Sequence, residues 1–177
     1  RAGVSKGTLY LYFDSKEDLF KAAVRESYSS ALVHGEEILE TFNGTSEELL
    51  REIFRLWWEE VGSTMQAGLT KLVIGESGNF PELARFYHDE VIQRAHALLS
   101  HAIDRGIRSG EFRDVNLDYV QRIACAPMVM LMLWTHSFAP HVPHQVDPRK
   151  YVETHADMLI HSLKCGQSPV PAPEAGG

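Results

Sequence analysis

The chain has 177 residues, 44% of them hydrophobic and 23% charged, with a formal net charge of −7, a balance that suits one core or a small head plus a larger body and excludes a disordered chain. Its two cysteines, Cys125 and Cys165, have neither the paired spacing of a zinc site nor the density of a secreted disulfide scaffold, so a reduced cytoplasmic protein is expected. The most apolar run, residues 124–133, falls well short of the roughly 18 residues a bilayer span requires, so no membrane partner is expected.

The first element is the most informative. Residues 3–20 read GVSKGTLYLYFDSKEDLF, and the first 25 residues carry five basic and three acidic side chains, whereas the remainder carries 12 basic and 21 acidic. A head of charge +2 on a body of −9 confines nucleic-acid contact to the N-terminal end. Gly3-Val4-Ser5 reads as a turn and N-cap, and residues 6–13 as a short helix whose start favours a phosphate. Leu9 and Phe13, four apart, point together into the head, leaving Lys6, Thr8, Tyr10 and Tyr12 outside, where they suit a major groove or equally a half-buried aromatic rim.

Downstream the pattern is helical nearly throughout. Ser15 with Asp18 caps a helix carrying an apolar stripe of Phe20, Val24, Tyr28, Ala31, Ile38 and Phe42, with Gly35 in its one gap and Gly44 at its end. Thr45 and Glu48 form a second capping box ahead of Leu49, Leu50, Ile53, Phe54, Trp57, Trp58 and Val61. A shorter apolar segment, 65–74, runs into a Gly75–Asn79 turn, and Pro81 opens a long helix that Gly110 stops. Asn116 caps a helix to about Phe138 with Pro127 as an expected kink, and Asp147-Pro148 open the last helix, through Leu163. No segment alternates with the period of a strand, so the fold is expected to be all-α.

The run RAGVSKGTLYLYFDSKEDLF resembles the second half of the helix-turn-helix of TetR-family transcriptional regulators, and LVIGESGNFPELARFYHDEV and GIRSGEF are similar to that family's body. The resemblance implies a partial helix-turn-helix head over residues 1–25, lacking its first helix and most of its second. It implies a helical effector-binding and dimerisation body over 26–165; the tail 166–177 is too poor in apolar residues to order itself. By motif position, Lys6, Gly7 and Thr8 would approach bases or adjacent backbone, and Ser5, Tyr10, Tyr12 and Lys16 phosphates. A homodimer through its last two helices would present two recognition helices to a palindromic double-stranded operator.

The family also places a small-molecule pocket in the body. Candidate lining residues are Trp57, Trp58 and Met65, then Phe86, Tyr87 and His88, then Met128, Met130, Met132 and Trp134, a set suited to a small apolar or aromatic effector and equally to plain core or a dimer seam. Trp57 and Trp58 are adjacent and cannot share a helix face, so at most one faces a cavity. His136, His141 and His144 sit in a proline-containing loop without nearby cysteines, a poor metal site, and no cofactor is expected. No catalytic constellation appears, so the expected function is a ligand-released repressor and not an enzyme; the alternative is a helical interaction or ligand-binding module without DNA binding.

Overall fold

A computed structural model describes Phe13, residues 15–143 and residues 145–164, and Ser5, Lys6, Gly7, Thr8, Tyr10 and Tyr12 of the expected DNA contacts lie outside the described residues. Within them the fold is all-α, with α1 (Lys16–Thr41), α2 (Ser46–Trp57), α3 (Ala67–Glu76), α4 (Pro81–Tyr87), α5 (Gln93–Ser109), α6 (Leu117–Leu133) and α7 (Pro148–Lys164). Three single π turns, Trp58–Gly62, His88–Ile92 and Trp134–Phe138, extend α2, join α4 to α5 and extend α6.

The helix ends are set by local chemistry. The Ser15 hydroxyl accepts from the Asp18 amide at 3.0 Å, and Thr45 and Glu48 complete a reciprocal box, Glu48 N–H to Thr45 Oγ1 at 3.2 Å and Thr45 N–H to Glu48 Oε2 at 2.8 Å. Pro81 occupies the first turn of α4, Gly110 ends α5 at φ 77°, and the Asn116 side chain caps α6. One end is completed from afar: the Glu111 carboxylate accepts from the Ser46 backbone N–H at 2.8 Å and its hydroxyl at 3.0 Å, pinning the start of α2 to the segment after α5. Pro127 lies inside α6 without ending it.

Two apolar clusters hold the body together. The larger gathers α2, α5, α6 and α7 around Leu49, Leu50, Phe54, Ile103, Met128, Met132 and Leu163. The smaller joins Val24, Tyr28 and Leu32 of α1 to Val73 of α3, Tyr87 and Val91 around the α4–α5 junction, and Leu98 of α5. Leu39 and Trp57 pack against both. On the outside, Tyr119, Ile123 and Met130 of α6 are 68%, 63% and 56% exposed, and Met158 of α7 is 69% exposed, which leaves an apolar face without an intramolecular partner. Leu117–His141, 25 residues, also has the length and composition of a membrane span, a test that core helices and signal sequences pass as well.

Candidate functional site

Where the two clusters meet, they do not close completely. A cavity of about 60 Å³, measured to the centres of water-sized spheres, lies between Tyr28, Ala31, Leu32 and Gly35 of α1, Ile53, Phe54, Leu56 and Trp57 of α2 with Val61 beyond it, Val91, Ala95, Leu98 and Leu99, and Cys125 and Met128 of α6. One water needs roughly 10–15 Å³ by this measure, so the space holds a few small groups and anything larger must part the walls. The lining is apolar and uncharged: burial pushes the Cys125 thiol up, keeping it protonated, and the Tyr28 hydroxyl is already engaged elsewhere. A ligand here gains from removing hydrocarbon from water and finds no charge to pair with.

In the cavity wall Ala31 and Gly35 of α1 lie with Ala95 and Leu98, and a Cβ built on Gly35 would stand 2.7 Å from Leu98 Cδ1, so any larger residue here obliges the Leu98 side chain to move. Outside the seam, Arg94 pairs with Glu36 at 2.7 Å and Arg25 with Glu90 at 3.0 Å, while His34 contacts Glu60 at 2.7 Å across to the turn after α2. All three are exposed pairs, worth about 0–1 kcal/mol each.

Beside the cavity runs a buried polar chain. The Tyr28 hydroxyl lies 2.7 Å from the Gln66 carbonyl and 2.6 Å from Thr70 Oγ1, which lies 2.7 Å from the Tyr87 hydroxyl. The tyrosine rings meet edge to face, 5.7 Å between centroids. Burial, then the neighbouring Tyr28, pushes the Tyr87 phenol far above its ordinary value, so it stays a neutral hydrogen-bonding group.

Of the residues singled out from sequence, Trp57 and Met128 stand on the cavity wall. Trp58 is buried but turned to the other side of α2, beside a cleft holding Arg51, Arg55 and Arg149. Met65 is 93% exposed in the turn before α3, and Met130 points outward from α6, so neither reaches the cavity. Phe86 is half-buried under the Arg25 guanidinium, 5.0 Å from its ring centroid, and His88 is exposed and bonded to Asp89 at 2.9 Å. Tyr87 belongs to the polar chain and Met132 to the larger core. Trp134 stacks on Phe138, 5.5 Å between centroids, and its buried indole N–H has no partner among the described residues. His136 donates from Nε2 to the Gly62 carbonyl at 2.8 Å, tying two π turns together. Lys16 opens α1 exposed to solvent. Missed by sequence reading were Tyr28 as a polar anchor, Leu98 and Leu99, and Cys125; the gap left by Gly35 in the α1 stripe was the one available signal.

Comparison with known proteins identifies two family matches. Residues 43–146 match the tetracyclin repressor-like C-terminal domain, and residues 1–23 match the bacterial regulatory proteins of the tetR family. The fold is similar to that of the transcriptional regulator FadR from Bacillus subtilis in complex with stearoyl-CoA, with TM-score 0.73, 21% identity, and coverage of 90% of this chain and 82% of that one. It is also similar to the TetR-family regulator PfmR from Thermus thermophilus, with TM-score 0.63, 20% identity and coverage of 90% and 82%. No curated protein gives a significant sequence match.

Proposed function

The chain belongs to the TetR family of DNA-binding transcriptional regulators with a ligand-binding body, and from that premise we propose that it is a repressor released from its operator by an apolar ligand in the α1–α2–α5–α6 cavity. The observation that carries this reading is the shared use of α1. The helix that leads out of the DNA-binding head at Lys16 supplies Tyr28, Ala31, Leu32 and Gly35 to the cavity wall. A ligand too large for about 60 Å³ parts the walls, and α1 is one of them. Release requires that the widened body be the state that binds DNA poorly and that the ligand bind it better than the DNA-binding state.

The lining supports a hydrocarbon effector, and the stearoyl-CoA bound by FadR supports an acyl chain as one such group. DNA contact falls to Ser5, Lys6, Gly7, Thr8, Tyr10, Tyr12 and Lys16, with a palindromic operator read by a homodimer joined through α6 and α7. The exposed apolar stripe of Tyr119, Ile123, Met130 and Met158 supports that dimer face. Such a protein works in the cytoplasm, where its DNA is. The test is binding of the full-length protein to its own promoter DNA across a salt series, with and without a saturating fatty acid. Sequence-selective binding with a steep salt slope, lost on adding the fatty acid, is the expected result; weak binding equal on all DNA would overturn the reading.

A further inference from the structure

Tyr28 belongs both to the cavity and to the polar chain, and the chemistry of that chain runs one way. The Gln66 carbonyl can only accept, so the Tyr28 hydroxyl donates to it; Thr70 then donates to Tyr28 Oη, and Tyr87 donates to Thr70 Oγ1. Tyr28, Thr70 and Tyr87 are 3%, 7% and 5% exposed, so each bond is made where water does not compete and its loss leaves a group without solvent to replace it. The three residues come from α1, α3 and the end of α4.

We propose that this hydroxyl chain is the switch that reports cavity occupancy to the DNA-binding end, an inference that rests on the ligand-released reading above. A ligand pressing on the Tyr28 ring withdraws its hydroxyl from Gln66 and Thr70, and α3 and α4 lose their buried polar tie to α1. Among the described residues, the other side-chain polar ties of α1 to the body are exposed to water: the Arg25–Glu90 and Glu36–Arg94 ion pairs, which salt screens, and the His34–Glu60 hydrogen bond. The release is felt at the head because α3 is a lever of about 15 Å. Its first turn holds the Tyr28 hydroxyl, and its far end, Leu72, Val73 and Glu76, faces Ser15, Lys16 and Phe20 at the start of α1 across an open groove.

Three variants each remove one hydroxyl and keep the side-chain shape: Tyr28→Phe, Thr70→Val and Tyr87→Phe. Operator affinity of the full-length protein is measured by fluorescence anisotropy with and without the fluorescent fatty acid cis-parinaric acid, whose own binding is read from its emission. Thermal melts identify any variant that fails to fold, and the remaining ones then carry the test. The expected result for all three is operator binding without ligand weakened about tenfold and a ligand effect on DNA reduced at least fivefold, with parinarate binding equal to or a few-fold tighter than wild type for Thr70→Val and Tyr87→Phe, which lie off the cavity wall. Folded variants with wild-type operator affinity and wild-type release overturn the switch. Wild-type protein that holds the operator unchanged at saturating parinarate overturns the ligand-released reading itself, so the two failures are distinguishable.

Discussion

Replacing Gly35 by alanine adds one methyl group at the narrowest point between α1 and α5. The new Cβ would lie 2.7 Å from Leu98 Cδ1, 3.5 Å from Cδ2 and 3.7 Å from Cγ, so Leu98 must move. It has somewhere to go, because Leu98 itself lines the cavity. Alanine in a helix interior is favoured over glycine by about 1 kcal/mol, and turning Leu98 off its preferred rotamer costs about 0.5–1.5 kcal/mol. These terms nearly cancel, so the variant should melt within a few degrees of wild type, since about 1 kcal/mol corresponds to roughly 2–4 °C at this size. The ligand loses room for about one methylene, worth about 0.8 kcal/mol or a roughly fourfold weaker affinity, and Gly35→Leu should abolish binding. Differential scanning fluorimetry and titration with cis-parinaric acid read both effects. A loss of more than about 3 kcal/mol of stability would show that Leu98 has no space to enter, and unchanged parinarate affinity would place the ligand elsewhere.

Ile123→Glu should convert a dimer to a monomer in sedimentation velocity and remove binding to a palindromic site, because it puts a charge on the exposed apolar face of α6; an unchanged sedimentation coefficient would refute that interface. Acid should loosen the start of α2 through Glu111 and Glu47. Burial alone would raise the Glu111 carboxyl, but hydrogen bonds from Ser109 and Ser46 outweigh it; Glu47 is lowered by hydrogen bonds from Lys164 and Arg51. Both therefore sit below the ordinary 4.5, so the stability they contribute is complete above that pH and is lost as pH falls through the lower folded value. Glu111→Gln should be about 1 kcal/mol less stable at pH 7 and its melting temperature should fall less steeply between pH 5 and 3, and an unchanged pH profile would count against this cap.

How much of this was legible in the chain depends on how far each feature reaches along it. The caps at Ser15, Thr45–Glu48, Pro81, Gly110 and Asn116 act within four residues, so residue type alone announces them, and the helical period between them announces an all-α body. The family's head pattern is equally local. What tertiary structure decided is which neighbour each apolar face meets. Trp57 reaches the cavity and Trp58 does not, because adjacent residues on a helix point about 100° apart and only packing says which direction is inward. Met65 and Met130 look like core in any hydropathy reading, yet one stands in a turn and the other on the outer face of α6. The Glu111 clasp on Ser46 spans 65 positions, and the Tyr28–Thr70 bond spans 42. Such contacts have no periodic signature, because they form only after helices from distant segments have been brought side by side. The cavity itself is of this kind, since it is the space left where two apolar clusters meet and the small side chains of Gly35, Ala31 and Ala95 fail to fill it.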